Sequence, residues 1–90
     1  PINTPRLFMI KDYAETTAHN AHAKDRTIPE DAYRHVLWSY LLTKEFGPAF
    51  ASRVTDAHEQ GPTGNTPKER KQDYHNNAVG RRYAREGISQ

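Results

Sequence analysis

Cysteine is absent from the chain. No disulfide can therefore staple the fold, and no thiolate can hold a metal or attack a substrate. Apolar residues are scarce as well, at 34% of 90 residues, which is low for a globular domain. No apolar run approaches the ~18 residues a membrane helix needs, and no signal-peptide core is visible. Excess charge of one sign is also missing. Thirteen Lys and Arg stand against 11 Asp and Glu, for a net charge of +2. That is too mild to argue for nucleic acid without a basic stripe. There is no glycine-rich phosphate loop and no GxSxG nucleophile elbow. The string His75-Asn76-Asn77 lacks the strand hairpin that an HNH nuclease motif needs, and no window alternates like a strand.

What remains fits one small domain over residues 1–90. A domain of this size buries only ~60–65% of its unfolded surface. Its core must be thin and partly polar, so buried polar groups must find partners. The chain opens at Pro1 without an initiator Met. It is expected to be part of a longer secreted protein.

Punctuation divides the chain into four helices. Residues 1–9, with Pro1, Pro5 and the apolar burst Leu7-Phe8-Met9, are expected to form an extended arm. Residues 10–24 place Tyr13, Ala14, Thr17, Ala18 and Ala21 at helical spacing. Thr27-Ile28-Pro29-Glu30 matches a capping box and opens the second helix. Tyr33, Val36, Leu37, Tyr40 and Leu41 then follow the apolar template of a central helix, which Gly47-Pro48 ends. A third helix runs from Pro48 to about Gln60, with Phe50, Val54 and Ala57 as its narrow apolar stripe. After the loop 61–66, Thr66-Pro67-Lys68-Glu69 repeats the capping box. The fourth helix runs from Pro67 to about Glu86, closed by Gly87. The expected fold is all-α, a small four-helix domain with short connections.

Three polar clusters sit on faces that ought to look inward: Arg34-His35, Asp56-Ala57-His58-Glu59 and Asp73-Tyr74-His75-Asn76-Asn77. On the last helix Asp73, Asn76, Asn77 and Gly80 share one face at i, i+3, i+4 and i+7. Asp73 and His75 lie about 200° apart on a helix. Only one can enter a given pocket, and Asp73 shares the Asn76/Asn77 face. Each cluster has a structural explanation too. Arg34 can pair with Asp56, Glu59 or Asp73, an arginine fork matching a carboxylate. Asn76 and Asn77 can cap a neighbouring helix, and Gly80 can let two helices approach. His19 and His22 fit solvent-facing or local roles.

Taken together, His35, His58, Glu59 and Asp73 are the candidate catalytic residues, gathered in a pocket beside Trp38. Arg34, Trp38, Asn76 and Asn77 are the candidate substrate contacts. Histidine with carboxylate suits general acid–base chemistry. The same set suits a divalent metal, although His58-Glu59 is not the HExxH zinc helix. His58 is the first choice for proton transfer, because Asp56 and Glu59 flank it and the loop after Gly61 leaves room for a substrate.

The motifs Asp31-Ala32-Tyr33-Arg34-His35-Val36-Leu37-Trp38, Thr55-Asp56-Ala57-His58-Glu59 and Asp73-Tyr74-His75-Asn76-Asn77-Ala78-Val79-Gly80-Arg81, in that order, resemble a helical domain of bacterial secreted proteins. That domain often forms the C-terminal tip of polymorphic or type VI-delivered toxins. The resemblance covers roughly residues 28–84. It implies a toxin or effector delivered into a target cell, with a cognate immunity protein as partner, and it carries no catalytic assignment. A hydrolase acting on peptidoglycan or phospholipid is the leading expectation. A non-catalytic module of a secretion or phage-tail-like apparatus is the alternative. Nuclease activity stays third, kept open by Arg81, Arg82 and Arg85. An open cleft holding unpaired His and carboxylate favours the enzyme, and a sealed, fully paired network favours the module.

Overall fold

The computed structural model describes residues 4–61 and 64–88. Four helices make up the domain: α1 (Thr4–Lys24), α2 (Glu30–Phe46), α3 (Pro48–Gln60) and α4 (Pro67–Arg85). No strand occurs among the described residues. The all-α expectation holds. The expected arm does not hold where it can be followed. Residues 1–3 lie outside the described residues, and Thr4 to Met9 form the first turns of α1.

Helix α2 is the hub. It packs against α1, α3 and α4, and α3 also packs against α4. A helix with three neighbours is buried around most of its circumference. Accordingly, His35, Leu37, Trp38, Ser39, Tyr40, Leu42 and Thr43 are all buried, beyond the single stripe that the apolar pattern marked. Helix α1 meets α2 through Ile10, Ala14 and Ala18, one residue per turn. Tyr13, expected on that face, is half exposed.

Helix α3 turns a different face inward from the one its apolar pattern suggested. Its buried residues are Ala51, Thr55 and Glu59. Phe50 and Val54 are half-buried at the flank and Ala57 is exposed. The small side chains of Ala51 and Thr55 allow close approach, and Thr55 satisfies its hydroxyl on Ala51 O at 3.0 Å. The larger residues cover the edge, with Phe50 against Phe46 at 5.1 Å between rings.

Helix α4 buries Asp73, Asn76, Asn77 and Gly80, the face that the sequence marked. Gly80 lies against the backbone of α2. A Cβ there would meet Val36 O at 2.3 Å and Tyr40 N at 2.9 Å. Beside it, the Ser39 hydroxyl donates to Asn77 O.

The helix ends show which local signals succeeded. Thr66 forms a full capping box: Glu69 N donates to Thr66 Oγ1 at 3.2 Å and Thr66 N donates to Glu69 Oε1 at 3.0 Å. Thr27 does not cap α2. Pro29 occupies the cap position, with no side-chain hydrogen bond. Thr27 is drawn back by Asp25 instead, whose Oδ1 accepts from Thr27 N at 3.0 Å and from Thr27 Oγ1 at 2.6 Å. An Asx-type turn thus outcompetes the cap. At the far end of α4, Gly87 takes φ +73°. Gly87 N donates to Ala84 O and Ile88 N to Tyr83 O, which closes the helix in a Schellman motif.

Candidate functional site

The N-terminal end of α2, the C-terminal end of α3 and the N-terminal half of α4 enclose an open cleft of about 670 Å³. His35 and Asp73 lie on its floor, and His58 and Arg34 on its walls. Asn65, Glu69 and Gln72 add polar groups to a mixed lining that also includes Pro29, Ala32 and Ala57. Pro62 and Thr63, part of the loop expected to leave room for a substrate, lie outside the described residues. Gly61 and Asn65 of that loop do line the cleft.

Three ionisable side chains from three helices converge at its floor, two lining it and Glu59 buried against them. His35 of α2, Glu59 of α3 and Asp73 of α4 each place a ligand atom within 4.8 Å of the others. His35 Nε2 is 3.4 Å from Asp73 Oδ1, and His35 Nδ1 is 3.8 Å from Glu59 Oε1. Glu59 is fully buried and His35 is 5% exposed. Among the described residues, neither Glu59 oxygen nor His35 Nδ1 makes a hydrogen bond of good geometry, with Asp73 the nearest group to the Glu59 carboxyl's proton. Asp73 is held by Asn65, whose Nδ2 donates to Oδ2 at 2.8 Å.

The electrostatics follow from this crowding. Burial pushes the Glu59 carboxyl up to about 7, and the neighbouring Asp73 carboxylate adds to the rise. Burial also lowers the His35 imidazole, against an opposing pull from Asp73. His58 is lowered by its partial burial, helped by the positive charges of Lys11 and Arg34.

His58 has a different position from its neighbour Glu59. It is exposed at the cleft wall, with its ring edge-on to Trp38 at 5.3 Å and 6.5 Å from the His35 ring. Trp38 itself is buried. It lines a smaller cleft of about 200 Å³ that runs past His35 and His58 to Lys11 and Glu15 of α1.

Several expected contacts are not at the cleft. Asn76 and Asn77 are buried on α4 and do not line it. Asn76 accepts from Gln72 at 3.3 Å. His75 points outward, as the helical geometry required. Asp56 is half-buried on α3, 3.4 Å from the Ser52 hydroxyl. Arg34 does not pair with Asp56, Glu59 or Asp73. Its partner is Asp31, one turn away on the same helix at 3.0 Å, with Asp31 80% exposed. Arg34 sits at the half-exposed edge of α2, where water solvates a guanidinium and an inward partner is not required. His19 also has a neighbour, Glu30 Oε2 at 3.8 Å, and His22 makes a local bond to Ile28 O at 2.8 Å.

Three contributors escaped the sequence reading. Asn65 was placed only as loop, although an Asn just before a cap is well set to reach the first helical turns. Ser39 lies four residues after His35, a spacing that marks a shared face. Arg70 lies close enough to lower Glu59 electrostatically, yet makes no ion pair with it among the described residues. The basic cluster late in α4 is partly consumed by structure, since Arg81 donates to Thr55 Oγ1 at 3.2 Å.

No helix among the described residues is long and apolar enough to cross a membrane. No curated protein and no solved structure matches the chain. Residues 2–90 match the family described as Domain of unknown function (DUF6973), and the chain belongs to that family.

Proposed function

We propose that this domain is a small hydrolase, delivered as the toxic tip of a longer secreted protein, that cleaves a polar component of the bacterial cell envelope. One observation carries the reading: His35 and Asp73 line an open cleft with buried Glu59 against them, and among the described residues Glu59 and His35 Nδ1 have orphaned polar atoms. A purely structural network would gain by pairing those atoms, since each buried unpaired group costs ~1–3 kcal/mol. Retaining them beside an open cleft is the pattern of a functional site. His58 is the group that meets the substrate and moves its proton, and Arg34 supplies positive charge at the wall. The charged and amide side chains Asp31, Arg34, Glu69 and Gln72 at the cleft favour peptidoglycan over the acyl chains of a phospholipid, and the exposed large apolar residues Phe8, Met9 and Tyr13 lie on α1, outside this cleft. Delivery and a cognate immunity protein rest on the likeness of the three motifs to toxin tips.

The test is expression in bacterial cytoplasm and, separately, periplasm. Killing is expected from the periplasm only. His58→Ala should abolish it while circular dichroism stays unchanged, because loss of a general acid–base group costs ~10²–10⁴-fold in rate. His19→Ala should kill like the parent. A folded His58→Ala protein that kills at the parent level removes His58 from the site. If His35→Ala kills equally, the non-catalytic module becomes the better account.

A further inference from the structure

We propose that His35, Glu59 and Asp73 form a binding site for one divalent transition-metal ion, with the remaining coordination position facing the cleft. One imidazole and two carboxylates from three helices make a ligand set of the kind that zinc and manganese accept. Their ligand atoms lie within 4.8 Å of one another. Ions with bonds of ~2.0–2.2 Å hold donors roughly 3–4 Å apart. Side-chain rotations of well under a turn of any helix therefore close the site.

The second observation is independent of the clustering. Glu59 is fully buried, and among the described residues both its oxygens and His35 Nδ1 lack a hydrogen bond of good geometry. A carboxylate taken out of water without compensation is costly. A cation held by both carboxylates and one ring nitrogen of His35 supplies that compensation to Glu59 and Asp73 together. The outer support is already in place. Asn65 Nδ2 holds Asp73 Oδ2 at 2.8 Å and leaves Oδ1 turned toward His35. Fixing a ligating carboxylate through its second oxygen is how metal sites orient their ligands.

Three protein ligands with an open fourth position is the arrangement of catalytic rather than structural sites. Its placement on the cleft floor fits that division. The existence of the ion site stands on the three side chains alone, and only its catalytic use rests on the hydrolase reading.

The experiment uses the full 90-residue chain stripped with a chelator and then titrated calorimetrically with zinc chloride and, separately, manganese chloride. One ion per chain is expected. Saturation at about 100 times Kd should raise the melting temperature by roughly 10–20 °C. Glu59→Gln, nearly isosteric and uncharged, should stay folded and lose at least about tenfold in affinity. His75→Ala, which changes an exposed histidine on the same helix as Asp73, should bind like the parent. Substituted cobalt should give visible absorption bands in the parent that Glu59→Gln alters. Binding that is absent, or equal in the parent and Glu59→Gln, overturns the site. The killing assay in the same variants decides the hydrolase reading separately. A parent that binds the ion while His58→Ala and Glu59→Gln still kill keeps the site and removes the enzyme.

Discussion

Replacing Gly80 by alanine sets two effects of opposite sign against each other. In the middle of an exposed helix the change would stabilise by ~1 kcal/mol, because glycine is the worse helix former. Here the new Cβ would lie 2.3 Å from Val36 O, 2.9 Å from Ser39 Cβ and 2.9 Å from Tyr40 N. Two of those three atoms are backbone and cannot swing aside. To restore ordinary contact, α2 and α4 must separate by about 1 Å at their closest point. That strains the Ser39–Asn77 hydrogen bond and forfeits packing along the seam. Overpacking of this kind costs ~1–3 kcal/mol and occasionally more, and poorer dispersion contacts add to it. The clash outweighs propensity, and a net loss of about 2 kcal/mol is expected. For a domain of this size that lowers the melting temperature by roughly 8–16 °C. The assay is thermal denaturation followed by circular dichroism, with urea unfolding as a check. Gly61→Ala is the control, since Gly61 has φ −75° and its Cβ would meet nothing nearer than 3.6 Å. That variant should be neutral or gain up to ~1 kcal/mol. If Gly80→Ala melts at or above the parent, propensity alone governs the site and the close-approach argument is wrong.

Thr66→Ala should destabilise by ~1 kcal/mol through loss of the capping box, whereas Thr27→Ala, which caps nothing, should cost clearly less in the same urea titration. Glu69 is held below its ordinary value of 4.5 by its bonds to Thr66. Because the folded value is the lower one, the stabilisation is present above 4.5 and disappears as the pH falls through the folded value. The stability gap between the parent and Glu69→Gln should therefore shrink on acidification, and a constant gap would remove the charge from the cap. Arg34→Ala should change stability by no more than about 0.5 kcal/mol, since its pair with Asp31 is solvent-exposed, yet it should weaken killing. In chelator-treated protein above pH 7, Glu59→Gln should raise stability, because the amide carries no charge to desolvate beside Asp73. A lower melting temperature would mean that Glu59 is compensated in a way its surroundings do not reveal.

The sequence made the fourth helix almost fully legible. Asp73, Asn76, Asn77 and Gly80 share a face by spacing alone, and those four are its buried residues. Helix α3 was harder for a physical reason. Phe50, Val54 and Ala57 mark one register, but small residues decide where helices touch most closely. Ala51 and Thr55 take the contact and carry Glu59 inward with them. His58, its neighbour in sequence, is thereby turned toward the cleft. Periodicity in hydrophobicity could not separate the two residues, and they differ completely in exposure. Thr27 illustrates a different limit. The pattern Thr-x-x-Glu fits a capping box, but Asp25 two residues earlier offers the same N–H and hydroxyl a nearer acceptor. Arg34 was given a possible inward carboxylate partner because it lies on the most buried helix. The helix is buried along most of its surface, and Arg34 stands at the edge where that burial stops.

The same close seam that makes Gly80 indispensable also positions the candidate site. Asp73 lies seven residues before Gly80, about 10 Å along α4, and His35 lies four before Ser39, about 6 Å along α2. The two side chains therefore project from rigid helices within two turns of their tightest backbone contact. Sites built on such elements hold their geometry more closely than sites on loops. Glu59 joins from α3, fixed by the inward register of Ala51 and Thr55. With so few apolar residues, the domain gives three of its inward positions to groups that cost stability. A function at the cleft, or an ion bound there, offsets that cost, and each makes the α2–α4 spacing matter to activity as well as to folding. Gly80→Ala should consequently lower metal affinity even under conditions where the variant is fully folded.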